Sequence, residues 1–308
     1  MSKDSWPIQI FRALVVIAVA MALLVGPLGL LEAPVAIEST PQVSPDATPM
    51  ATPDFPEAHI QLGDEELQQG RYYQAILEYG RAIELDPTGP TAYFRRGNAY
   101  TQIGAYDNAV QDFTRVIELA PESAEAHVGR GGAYSALGNA PQAEADLTRA
   151  LELDAESYRG HLNRGETYES QGQLALALAD YDRAIEIAPD QPWGYLSRGK
   201  LHRQMGKYDL ALADLGKAIE LAPENRDAYN LRGAVHVDAA QFDSAIADFS
   251  RAIELDPAYA LPYFNRALVN QALGKTQLAT DDYRKFLELD PDPEWRAEAE
   301  QRLRDLGA

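Results

Sequence analysis

The stretch YDNAVQDFTRVIELAP at residues 106–121 returns as FDSAIADFSRAIELDP at 242–257, and a third version, YDLALADLGKAIELAP, occupies 208–223. The second and third copies start 34 residues apart, and the first and second are four such steps apart. A fixed period of this length marks an array of one supersecondary unit, so it decides the fold before any single motif does. Pro87, Pro121, Pro189, Pro223, Pro257 and Pro291 all fall on the same grid, with Ala155 in the remaining place. The grid divides the chain into seven units: 56–89, 90–123, 124–157, 158–191, 192–225, 226–259 and 260–293. Residues 294–308, with WRAEAEQRLRDLGA, read as a C-terminal capping helix.

Each unit reads as two antiparallel helices. Its eighth position is Gly63, Gly97, Gly131, Gly165, Gly199, Gly233 or Ala267, and its twentieth is always Ala, from Ala75 to Ala279. Glycine inside a helix costs about 1 kcal/mol against alanine, so its recurrence requires a packing reason. Position 24 supplies one, because it is always large: Tyr79, Phe113, Leu147, Tyr181, Leu215, Phe249 or Tyr283. The pattern predicts that this side chain fills the space the small residues leave. Gly70, Gly104, Gly138, Gly172, Gly206 and Gly274 mark the turn between the helices. The proline column is expected to end the second helix.

Glycine, alanine and proline at these offsets in a 34-residue helix–turn–helix resemble the tetratricopeptide repeat, TPR, over residues 56–293. The resemblance implies an all-α, right-handed superhelical solenoid whose first helices line a concave groove that holds an extended peptide or a partner helix. One departure is consistent. Position seven, often Leu in the family, is Arg96, Arg130, Arg164, Arg198, Arg232 and Arg266 in six units. Position 23 of the same units is Asp112, Asp146, Asp180, Asp214, Asp248 and Asp282, whereas unit one has Leu62 with Glu78. These residues are expected to meet as bidentate interhelix pairs.

In the family, positions 2, 5, 9, 12 and 13 face the groove. Position five is Ile60, Phe94, Val128, Leu162, Leu196, Asn230 and Phe264, a nearly continuous apolar row. Position nine varies, with Asn98, Glu166 and Lys200 among its occupants. Unit five adds Trp193 at position two and Arg203 at position twelve. The resemblance therefore implies a partner-binding face of Phe94, Asn98, Leu162, Glu166, Trp193, Leu196, Lys200, Arg203, Asn230 and Phe264. Trp193, Lys200 and Arg203 are its expected anchors, since aromatic and arginine residues dominate interface energetics. Lys200 and Arg203 read as an exposed basic patch that calls for an acidic group on the partner. No unit carries the position-five lysine with which some cytoplasmic relatives clamp a chaperone's C-terminal carboxylate.

Composition narrows the function further. The chain has 27 basic and 47 acidic residues in 308, a net charge of −20, and no cysteine. Such a chain repels phosphate backbones, so a nucleic-acid partner is not expected. A cysteine-based metal or redox site is impossible. His59, His127 and His161 occupy position four, and His202 and His236 position eleven, where other units have Tyr; they are expected to pack as tyrosine would. Phosphate loops, nucleophile elbows and zinc-binding helix motifs are absent, so neither an enzyme nor a cofactor is expected. A secreted carrier of a small molecule or glycan is the alternative, though it would require an enclosed pocket.

The N-terminus points outside the cytoplasm. Ala13–Leu31 carries no charge and as a helix spans about 28 Å, close to the bilayer core. Lys3 and Arg12 precede it while Glu32, Glu38 and Asp46 follow, which places the N-terminal stub inside and the repeats outside. A cleaved signal peptide is the competing reading, but Glu32 and Pro34 crowd its cleavage sites. The expected order is a stub with anchor or signal segment at 1–38, a Pro/Thr/Ser-rich disordered linker at 39–55, then the repeats.

Overall fold

The computed structural model describes residues 55–289 and 292–307. Among them are fifteen α-helices and no strand. They form two compact units that divide between Ile187 and Ala188. The first holds four helix pairs: α1 (Pro56–Gln68) with α2 (Tyr72–Leu85), α3 (Pro90–Gln102) with α4 (Tyr106–Leu119), α5 (Ala124–Ala136) with α6 (Ala140–Leu153), and α7 (Tyr158–Ser170) with α8 (Leu174–Ile187). The second holds three: α9 (Pro192–Gln204) with α10 (Tyr208–Leu221), α11 (Arg226–Asp238) with α12 (Phe242–Leu255), and α13 (Ala260–Ala272) with α14 (Thr276–Glu288); α15 (Pro293–Asp305) follows. Among the described residues no helix is long and apolar enough to cross a membrane. The expected anchor Ala13–Leu31, with the rest of 1–38 and linker residues 39–54, lies outside the described residues.

The packing follows from the small columns. On α4, Ala109, Phe113 and Val116 recur at helical spacing and are buried. A Cβ on Gly97 would lie 3.0 Å from the Phe113 ring, and one on Gly129 of α5 only 2.6 Å from it. The ring is therefore wedged between its own pair and the next. Gly233 repeats the arrangement, with a would-be Cβ 2.6 Å from Phe249. Burying such a ring contributes about 2–3 kcal/mol, and a methyl group on the facing glycine would force the helices apart.

The helix ends have local causes. Gly104 (φ 73°) closes α3 as a Schellman turn, its N–H bonding Thr101 O at 3.1 Å while Ala105 N bonds Tyr100 O at 2.9 Å. At the same place after α11 the chain has Ala240 at φ 57°, in the left-handed region. Proline is not required to stop a second helix. α6 ends at Leu153 although Ala155 stands in the proline column. There Asp154 turns extended, and its carboxylate accepts Glu156 N–H at 3.1 Å, an Asx turn that competes with the helix.

Six interhelix forks tie the pairs together. Arg164 Nε and Nη2 each donate to Asp180 at 2.8 Å, and the other five pairs match at 2.7–2.9 Å. Burial alone would push the Asp180 carboxyl up. Hydrogen bonds from Arg164 and His161 outweigh it and hold the group below the usual carboxylate range. The aromatic columns support the same forks in two ways. At most places where position four or eleven is Tyr, its ring flanks the guanidinium, as Tyr93 and Tyr100 do at 5.8 Å from Arg96. Where it is His, the imidazole goes to the carboxylate: His127 Nδ1 is 3.1 Å from Asp146, His161 2.8 Å from Asp180 and His202 3.0 Å from Asp214. His59 meets Glu78 at 2.7 Å, and His236 Nε2 lies 3.6 Å from Asp248. Four of the histidines thus bond the carboxylate at position 23, with His59, His127 and His202 also buried as packed rings, whereas the close partner of His236 is Gln241 Oε1 at 2.7 Å.

Candidate functional site

In the second compact unit, Trp193, Leu196, Lys200 and Arg203 are spaced three and four apart and share one face of α9. Trp193 is 37% exposed, whereas Leu196 beside it is buried. Lys200 and Arg203 do not make the expected open basic patch. Both are half-buried, and Arg203 Nε donates to Asp238 of α11 at 2.6 Å, with the two side chains only 11% and 8% exposed. Asp238 neutralises the arginine from the next pair. Asn230 is engaged on both ends of its amide, accepting from Asn265 Nδ2 at 3.0 Å and donating to the Tyr259 hydroxyl at 3.3 Å.

Phe264 is a correction to the expected groove. It is fully buried, with the rings of Tyr283, Phe286 and Trp295 centred 5.6, 5.0 and 5.1 Å away. Trp295 comes from α15, which covers the last pair and turns its position five into core. The row is closed elsewhere too: Val128, Leu162 and Leu196 are all buried. In the first compact unit Phe94 is half-buried, edge-on to Phe113 at 5.8 Å, with half-buried Asn98 one turn along. Glu166 lies half-buried one turn beyond Leu162 on α7. Phe94, Asn98, Glu166, Trp193, Lys200 and Asn230 are thus the expected side chains that stay at least partly open, while Arg203 is held by Asp238.

Sequence reasoning passed over a cleft of about 330 Å³ where α1, the end of α2 and the start of α3 meet. Ile60, Ala82 and Ala92 make its apolar lining, and Glu57 and Asp86 bring two carboxylates to it. The Asp86 carboxylate is fixed by Thr88, whose Oγ1 and N–H donate to Oδ1 at 2.7 and 2.9 Å. Those bonds hold its carboxyl below the usual range, so it is ionised at neutral pH. Gly89 lines it without a side chain, next to the Asp86 carboxylate, whose Oδ2 would lie 2.7 Å from a Cβ there. An open space is an absent side chain, which a search for conspicuous residues does not see.

Family models described as TPR repeat match residues 63–104, and models described as tetratricopeptide repeat match 90–123, 128–192, 164–236 and 233–304. The chain belongs to the tetratricopeptide repeat family. Among solved structures it resembles a chain of the APC/C hetero-tetramer Cut9-Hcn1, at 16% identity and a TM-score of 0.67 over 80% of this chain and 48% of that one. It therefore spans about half the length of that relative. It also resembles a tetratricopeptide repeat protein of Parabacteroides merdae, at 19% identity and a TM-score of 0.62, covering 82% and 99% of the two chains. A third is pilF of Pseudomonas aeruginosa, at 20% identity and a TM-score of 0.57, covering 67% and 94%. These likenesses show the fold alone. No curated protein matches the chain. The fold suggests a protein–protein interaction scaffold.

Proposed function

We propose that the chain is a non-catalytic scaffold that holds an extended peptide or a partner helix against its first helices, outside the cytoplasm. The observation that carries this reading is the contrast along α9: Leu196 is buried in the pair, while Trp193 on the same face stays 37% exposed. A large aromatic left open beside a packed core is the residue type that anchors interfaces. What supports the location is the uncharged Ala13–Leu31 segment with Lys3 and Arg12 before it. In this reading the segment anchors the chain and the 39–55 linker spaces the repeats from the bilayer.

The chain has no cysteine, so single cysteines can carry a photo-crosslinker. A probe at Asn98→Cys on a first helix should capture a partner in intact cells, and Trp193→Ala should lower the yield. A probe at Glu220→Cys, on the edge of a second helix, should not. Capture from Glu220 alone would move the binding surface to the second helices and overturn the reading. For the location, full-length chain should remain with membranes after a high-salt wash. A soluble product beginning near residue 34 or 37 would establish signal cleavage instead.

A further inference from the structure

The repeat itself shows what the empty cleft in unit one is shaped to hold. Unit six carries the same two carboxylates, Asp227 at position two and Asp256 at position 31, where unit one has Glu57 and Asp86. There the space is filled from within. Position 34 is Tyr259, whose hydroxyl donates to Asp227 and accepts from Asn230. Position one is Arg226, whose guanidinium pairs with Asp256 and lies 4.9 Å over the Tyr259 ring. In unit one these two residues are Gly89 and Pro56. The carboxylates remain, and both the cation and the body that filled the cleft are missing.

Unit three bears the same pair, Glu125 and Asp154, but places Arg159 where unit one has Thr91. Unit one alone of the three has no basic residue at any of these positions. The chain's own preceding stretch cannot restore the charge, because residues 32–54 contain no lysine or arginine.

We propose that the cleft between α1, α2 and α3 is a binding site for an arginine side chain of a partner segment. This rests on the reading of the first helices as the binding face and names the chemistry of one subsite within it. The aliphatic stem lies on Ile60, Ala82 and Ala92. The guanidinium meets Asp86, already fixed and ionised by Thr88, with Glu57 as the second carboxylate. The partner is therefore basic at this point, the opposite of the acidic group expected over Lys200 and Arg203.

The test uses the full chain and a short fluorescent probe peptide of alanine, valine and proline around one arginine, with a photo-crosslinker beside it. A citrulline version keeps the shape and removes the charge. Anisotropy should show the arginine probe binding about tenfold more tightly than the citrulline probe, and Glu57→Gln should weaken it about three- to fivefold. Its crosslinks should fall within residues 56–61 and 82–92. A second variant, Pro56→Arg with Gly89→Tyr, imports the filling of unit six. Gly89 sits at φ −77°, ψ 115°, close to the φ −74°, ψ 102° of Tyr259, so the backbone accepts tyrosine; its Cβ would lie 2.7 Å from Asp86 Oδ2, and that carboxylate must turn toward the introduced guanidinium. This variant should keep the helicity of the native chain and lose the arginine preference. Equal binding of the two probes, no binding of either, or undiminished binding by the filled variant overturns the inference. Crosslinks to other first helices would do the same while leaving the groove reading intact. Crosslinks confined to second helices would remove both.

Discussion

Arg164→Leu tests whether the interhelix forks hold the repeats together. The substitution removes both 2.8 Å bonds to Asp180, whose side chain is only 6% exposed. Breaking a buried pair in this way costs about 3–5 kcal/mol, because the remaining charge is left without its partner. Two facts place the cost at the low end, about 3 kcal/mol: His161 Nδ1 still reaches Asp180 at 2.8 Å, and the Arg164 side chain is 20% exposed. A repeat array need not melt as one body, so the loss should be read locally, from amide exchange in α7 and α8 beside the urea midpoint. Arg164→Leu with Asp180→Leu should regain most of the loss, since no buried carboxylate is left. Arg164→Leu with Asp180→Glu should regain part, for a reason visible in unit one. There Leu62 faces Glu78, which instead takes His59 at 2.7 Å and Arg81 at 2.6 Å; His161 and Arg183 stand at the matching places in unit four. An unchanged midpoint in the single variant, or double variants no better than it, would refute the reasoning.

Glycine substitutions should split by sign. Gly216→Ala, with no atom within 4 Å of the new Cβ, should stabilise by about 1 kcal/mol, whereas Gly233→Ala should destabilise by about 1–3 kcal/mol against Phe249. Ala240→Gly belongs to the same thermal series and should relieve about 1 kcal/mol of left-handed strain. A common sign for Gly216 and Gly233 would mean the small column is not there for packing. Acid should weaken the fold through Asp180. Its carboxyl is held below the ordinary value, so its stabilisation is complete above pH ~4, the unfolded carboxylate range, and disappears as pH falls through the lower folded value. The urea midpoint of the native chain should drop more steeply below that range than that of Asp180→Asn; parallel curves would remove the group from the acid response.

The sequence by itself determined the period, the helix pairs, the wedge of a large residue against Gly97 or Gly233, and the Arg–Asp forks. Each of these lives inside one repeat and is copied in register, so the columns display the contact partners side by side. The tertiary structure decided which of the expected groove residues remain open. Phe264 obeys its column, but α15 packs over it, and nothing in a repeat announces that its neighbour is a cap. Arg203 looks like a free cation until α11 brings Asp238 within 2.6 Å, a contact that depends on how successive pairs are set against each other. The cleft beside Gly89 is visible only in three dimensions because a void has no residue of its own; its shape is made by what three separate helices leave unfilled.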